Sequence, residues 1–404
     1  MQDETLATLP QRFQPYYDDM IAFAQKLVQT PSYAGEEAAV AALVKAEMIK
    51  LHYDEVWSDR AGSIVGLIRG GTSRQAMMIN AHMDHVSVGD ENDWPYPPFS
   101  GTIADDSLWG RGTVDLKGSV ATMVYAAGAL RREGVLPPWD VYVAAVVFEE
   151  TGGVGTQVVL ERVHPEFCVI GEATGNELAL GHRGVVGMDV EIRGKAAHAS
   201  MVDVGVNPHY TAARFILGLR HLKHDVDPML GASTVAPTLY VTDQTSSNVI
   251  PGAVRMYLDW RSVPQETPEA ILAQVQTLLQ ASLEPGTSGS VRPRQFENRT
   301  YTGLQFITPI GKAAVKTDPS GTLAKRSLRA LRIALGREVK QIVWRFCTDG
   351  AICAEAGVPI VGFGPGDETL AHTSSEHVGL ADLREAMVGH GALALSPGLV
   401  VAPS

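Results

Sequence analysis

Cysteine is scarce in this 404-residue chain: Cys168, Cys347 and Cys353 form an odd, sparse set that does not read as a disulfide framework. Basic charge is also short. Against 45 Asp and Glu stand 33 Lys and Arg, and the formal net charge of −12 argues against nucleic acid or an anionic membrane as the main partner. No apolar stretch has the length that a bilayer span requires. The opening Met1-Gln2-Asp3-Glu4-Thr5 lacks a basic stretch followed by an apolar one. No signal peptide is therefore expected, and the cytoplasm is the expected compartment. A Gly-Lys-Ser/Thr phosphate loop after a strand is missing too, which speaks against a nucleotide-dependent ligase or kinase. Internal repeats and low-complexity tracts are absent.

What remains is an ordinary globular composition, 45% hydrophobic with 40 Gly and 23 Pro, in a chain long enough for a large core and two domains. Apolar spacing predicts helices at 13–30, 35–51 and 118–133, and strands at 63–68, 76–81, 141–148 and 167–171. This alternation argues for an α/β sheet covered on both faces. Near Gly184 the character changes. A partly alternating strand at 185–192, a helix at 208–222, strands at 233–241 and 253–260, and a helix at 268–283 predict a one-sided α+β insert. Pro285-Gly286-Thr287-Ser288-Gly289-Ser290 reads as a turn or linker at its end. Helices at 321–335 and 380–395 and strands at 341–344 and 358–363 follow. The expected organisation is a catalytic domain in two parts, 1–183 and 293–404, interrupted by a second domain at 184–292.

Three apolar runs end in metal-type ligands. Ala76–Ala81 leads into His82-Met83-Asp84, Val141–Phe148 into Glu149-Glu150, and Phe167–Gly171 into Glu172. Ligands of open α/β sheets gather beyond the carboxyl ends of such strands. Taken singly each has a mundane reading: a common His-x-Asp, a solvated strand end, a surface His372. Asp115 in Gly110-Arg111-Gly112-Thr113-Val114-Asp115-Leu116-Lys117-Gly118 is equally a turn residue or helix cap. Jointly they describe a site for two zinc ions, with His and carboxylate ligands and a position left for water. Asp115 is the natural bridging carboxylate, and Asp84 is placed to accept the second imidazole N–H of His82.

These segments, with Gly194-Lys195-Ala196-Ala197-His198-Ala199-Ser200, follow one another in an order that resembles the di-zinc family of aminoacylase, acetylornithine deacetylase, succinyl-diaminopimelate desuccinylase and glutamate carboxypeptidase. The resemblance covers nearly the whole chain. It implies a zinc-peptidase-like mixed sheet with helices on both faces, interrupted by a small α+β lid that also makes a homodimer. It implies that Asp115 bridges two divalent ions, zinc or alternatively cobalt or manganese. His82 and Glu172 would complete one site, Glu150 and His372 the other, with His377 and His390 as nearby alternatives to His372. Glu149 would be the base and His198 an oxyanion donor reaching the opposite subunit. Asn248 and Arg261 match the family's substrate-contacting lid positions, and Arg183 sits at the lid hinge; arginine suits a substrate carboxylate because its planar fork engages both oxygens.

The implied reaction is hydrolysis of an N-acyl amino acid or small peptide with a free carboxylate. A dipeptidase and a carbamoyl-amino-acid hydrolase are the alternatives within this chemistry. Carbamoylases of the family carry histidine at the position of Glu172, which counts against that alternative. A catalytically silent binding homologue should have lost a ligand or the base, and this chain retains them.

Overall fold

In the computed structural model, which describes residues 2–71 and 75–398, the chain opens with three helices, α1 (Gln2–Phe13), α2 (Tyr17–Val28) and α3 (Ala38–Lys50). Residues 1, 72–74 and 399–404, parts of the expected segments 1–183 and 293–404, lie outside the described residues. The single helix expected from residue 13 is thus the second of two. Pro15 sits in the first turn of a short 3-10 segment, Gln14–Tyr16, between α1 and α2; proline suits a first turn and offers no N–H to carry α1 onward, a loss α1 already bears once at Pro10.

Strands β1 (Glu55–Ser58), β2 (Ile64–Ile68) and β3 (Ala76–His82) come next, then α4 (Gly118–Arg132), β4 (Asp140–Val146), α5 (Val154–Leu160), β5 (Phe167–Ile170) and β6 (Leu178–His182). The chain then builds a separate sheet from β7 (Gly184–Arg193), α6 (Pro208–Leu219), β8 (Thr234–Thr242), β9 (Ala253–Ser262), α7 (Pro268–Ser282) and β10 (Ser288–Pro293). It returns through β11 (Val315–Lys316), α8 (Thr322–Leu335), β12 (Gln341–Trp344), α9 (Gly350–Glu355), β13 (Ile360–Gly362) and α10 (Leu380–Leu395).

The large sheet runs β1-β2-β4-β3-β5-β13-β6-β11, with β12 also beside β6. Its centre is parallel: β3 lies between β4 and β5 and runs with both. Its flanks are antiparallel, so the sheet is mixed. Both faces are buried because alternate side chains enter different cores. Met77, Ile79 and Ala81 of β3 pack with α1, α2, α4 and α10. Met78 points the other way, to Val146, Ile170 and residues of α9.

The smaller sheet is antiparallel in the order β8-β9-β7-β10. Val186, Met188 and Val190 of β7 and Met256, Leu258 and Trp260 of β9 form a core under α6 and α7. Their neighbours Gly187, Tyr257 and Arg261 face the other side. Strand β10 was not expected, since Ser288 and Gly289 belong to a turn-like sequence. Pairing of residues 288–293 with β7 overrides that local preference.

Candidate metal centre

Register aligns the three ligand-bearing strands. His82 pairs with Val146 and Asn80 with Ile170, so the chain leaves β3, β4 and β5 at one edge of the sheet. Asp115 enters from the loop before α4. That loop turns at Gly110, φ +141°, where an added Cβ would stand 2.7 Å from the Pro98 carbonyl oxygen. A side chain there would push the loop off its seat. His372 arrives on the loop after β13 with φ +63°, and Phe148, just before Glu149, has φ +59°. Both are left-handed conformations that non-glycine residues adopt at some cost, a frequent mark of functional sites.

The candidate ligands divide about Asp115. His82 Nε2 lies 2.9 Å from Asp115 Oδ1 and 3.7 Å from Glu172 Oε1. His372 Nε2 lies 3.0 Å from Asp115 Oδ2 and 3.1 Å from Glu150 Oε1. Each oxygen of one carboxylate therefore faces a different imidazole. Two sets, His82–Glu149–Glu172 and His82–Asp115–Glu150, have ligand atoms within 4.8 Å of one another.

The donor chemistry fits divalent cations. His82 Nδ1 lies 2.9 Å from the Asp84 carbonyl oxygen, which requires the proton on Nδ1 and leaves the Nε2 lone pair aimed at Asp115. Asp115 Oδ1 is buried and accepts no hydrogen bond of good geometry. Two acceptors facing each other at this distance need a cation or a proton between them. Protons fill that role when nothing else does. Burial alone would lower the His82 pKa, yet Asp115, Asp84 and Glu172 hold it well above the ordinary range. Hydrogen bonds to Asp115 and Glu150 raise His372 to about 10. Burial, with repulsion from Asp115, raises Glu150 to about 7 and Glu172 well above the ordinary carboxylate range. Cation binding at such a site releases these protons.

Supporting residues surround the ligands. The Asp84 carboxylate does not take the His82 N–H as expected: Oδ1 is 3.7 Å from Nδ1, and the carbonyl oxygen accepts instead. The carboxylate accepts from the backbone N–H groups of Glu149, at 3.1 Å, and Glu150, at 3.2 Å. The strand-end geometry lets a short extended segment orient the imidazole by its backbone and the next strand end by its side chain. Glu376, which sequence reasoning missed, accepts from Val114 N at 2.9 Å and Asp115 N at 3.1 Å while paired with Arg111. Lys312 was missed as well. Its Nζ donates to Glu149 Oε1 at 2.7 Å and Asp349 Oδ1 at 3.2 Å. Burial would lower the Lys312 pKa, but Glu149 and Asp349 push it well above the usual value.

Residues 78–395 match the pattern of Peptidase family M20/M25/M40. The chain belongs to this family. It is 28% identical over 387 residues to the uncharacterised protein YgeY of Escherichia coli K12, covering 94% of this chain and 95% of that one. It is 26% identical over 382 residues to succinyl-diaminopimelate desuccinylase of Halorhodospira halophila, covering 90% and 94%. Among solved structures, the Bacillus subtilis YXEP protein, a dinuclear metal binding peptidase from the M20 family, superposes with a TM-score of 0.69 at 16% identity, covering 95% and 98%. As an M20 member this chain is a metal-dependent hydrolase acting on amide bonds.

The remaining sequence-derived residues of this M20 chain are dispersed. Arg261 lines a cavity of about 820 Å³ that also reaches Asp115, Glu149 and His372. Its guanidinium is engaged by Asp259, with Nε–Oδ1 2.7 Å and Nη2–Oδ2 3.1 Å. Arg183 donates to the Ala232 carbonyl oxygen at 3.3 Å, away from the cavity lining. Asn248 and His198 are neighbours on the smaller sheet region, joined by Ala199 N to Asn248 O at 2.9 Å, and His198 is exposed with its Nδ1 2.8 Å from Ser200 Oγ. Neither lines the cavity. Of the alternatives to His372, His377 stacks on Trp109 at 4.1 Å, and His390 is buried between Thr122 and the Phe363 carbonyl.

Proposed function

We propose that this chain hydrolyses the amide bond of an N-acyl amino acid or small peptide with a free carboxylate. The observation that carries this reading is Asp115, whose two oxygens face His82 and His372 separately. In this reading His82, Asp115 and Glu172 hold one divalent ion, and Asp115, Glu150 and His372 hold a second. Zinc suits these ligands; cobalt and manganese accept similar ones. Such ions supply Lewis acidity at water and at the scissile carbonyl.

The protein's own groups do the rest. Glu149 accepts the proton of the attacking water on Oε2, because Lys312 engages Oε1, and delivers it to the departing amine. Asp349 anchors Lys312 and so fixes the base in place. Glu376 fixes the backbone of Asp115. Residues 184–292 act as a lid carrying the specificity groups, with Arg261, Asn248 and Arg183 as carboxylate contacts. His198 donates to the oxyanion of the opposite subunit. Leu239 and Val241, both 55% exposed on edge strand β8, with Tyr210 and Leu217 on α6, support a homodimer through this region. The relative named as a desuccinylase supports the deacylase form.

The test is a hydrolysis screen of zinc-loaded protein on N-acetyl, N-succinyl and N-carbamoyl amino acids beside dipeptides. Turnover of an N-acetyl or N-succinyl amino acid is the expected result. No turnover of any of them would sink the proposal.

A further inference from the structure

The cavity holds three cations of unequal status. Lys312 is tied to Glu149 and Asp349, and Arg261 is closed by Asp259. Arg294, which no motif pointed to, is different. Its guanidinium carbon sits 4.3 Å from the centre of the Tyr257 ring and 5.1 Å from that of Phe296. The nearest carboxylate oxygen, Asp189 Oδ1, is 3.8 Å from Nη1, too far for a hydrogen bond, on a side chain that is 59% exposed. Among the described residues no hydrogen bond engages its side-chain donors. Two rings thus hold a planar cation in one orientation by cation–π contact while its N–H groups stay available.

The surroundings fix this arrangement. Tyr257 lies across Gly187, where an added Cβ would stand 2.8 Å from the phenol oxygen, so any larger residue would displace the ring. The backbone N–H of Arg294 donates to the Gly187 carbonyl oxygen at 2.9 Å and pins the arginine to the same strand. Leu239, Ile310 and Phe346 add apolar wall to the cavity that the metal ligands close at another side. An anion with an apolar or aromatic body fits such a place: the body lies on the rings and the carboxylate takes the free fork.

We propose that Arg294, held by Tyr257 and Phe296, is a further carboxylate-binding residue of this cavity, beyond the contacts named above, and determines its specificity. The substrate class is then an amide whose far end carries an aryl or alkyl group bearing a carboxylate. This deepens the hydrolase reading and rests on it only in taking the cavity as the substrate site.

The test is calorimetric binding of 3-phenylpropionate and of uncharged 3-phenylpropan-1-ol to the metal-loaded protein. Wild type should bind the acid about tenfold to a hundredfold more tightly than Arg294→Gln does, the effect of one charge-assisted pair. The alcohol should bind both proteins alike. Arg294→Lys, which keeps charge but loses the fork, should fall between and remains decisive if the glutamine variant fails to fold. Equal affinity of wild type and either folded variant for the acid would overturn the proposal, as would no binding of the acid to wild type. These readouts need no turnover, so failure of the hydrolysis screen with carboxylate discrimination intact would count against the reaction and not against the subsite.

Discussion

The large sheet and the smaller one meet the same cavity with opposite kinds of side chain. On the large-sheet side the ionisable groups are interlocked and, His372 apart, buried: Glu376 with Arg111, Asp115 between two histidines, and Glu149 with Lys312, which the smaller sheet supplies from beside β7. On the small-sheet side Tyr257, Leu239 and Phe296 are partly or largely exposed, and Arg294 has donors to spare. Chemistry at an amide needs groups fixed before the substrate arrives. Recognition tolerates, and often uses, a surface that adjusts to what it binds. In the proposed reading the metal-holding groups and the base belong to the large sheet, while the smaller sheet supplies the choice of substrate and two supports for the reaction, Lys312 and His198.

The sharpest way to break that division is through Glu149. Glu149→Gln should lower kcat about 10²–10⁴-fold, the usual worth of a positioned proton carrier, while metal content stays unchanged by elemental analysis. Normal turnover in this variant would remove the base from the large-sheet side. The next test crosses the boundary. If His198 donates to the oxyanion of a partner copy, His198→Ala should lower kcat by about 10²–10³-fold with zinc content intact. Mixing it with Glu149→Gln should then restore part of the activity in hybrid dimers. Unchanged kcat in His198→Ala would confine the chemistry to one side.

A smaller effect tests the interlocking itself. Glu376→Ala removes the acceptor for the Asp115 backbone and should weaken metal affinity by about 10–100-fold, as loss of an outer support does. An unchanged metal affinity would make the Glu376–Arg111 pair purely structural. The smallest effect concerns stability. Burial lowers the His390 pKa from its ordinary 6.5 to about 4. The folded state then binds fewer protons than the unfolded one below pH 6.5, so this stability is complete above that value and drains away as pH falls toward 4. The loss is at most about 3 kcal/mol. Thermal melts should show the catalytic sheet failing first in acid, with His390→Gln flattening the slope between pH 6.5 and 4. An identical slope in the variant would assign acid sensitivity elsewhere.

The division also explains what could be read from the residues alone. His82, Glu149, Glu150 and Glu172 were legible because each follows a short apolar run, and parallel strands bring such ends to one edge. Asp115 was legible from its glycine-spaced loop. Lys312 was not, because its contact with Glu149 spans 163 residues and no local pattern marks it. Glu376 reaches Val114 across 262 residues. Arg294 follows β10, a strand whose sequence resembles a turn, so its place beside Tyr257 depends on sheet pairing. The Asp84 carboxylate was read one atom group wrongly: spacing fixed which residue orients His82 but not whether side chain or carbonyl does so.

Asp115 stands at the centre of the account, and metal stoichiometry tests it most directly. Wild-type protein loaded with zinc and dialysed should retain two equivalents, and Asp115→Ala should retain no more than one, weakly bound. Two tightly held ions in Asp115→Ala, or none in wild type, would contradict it.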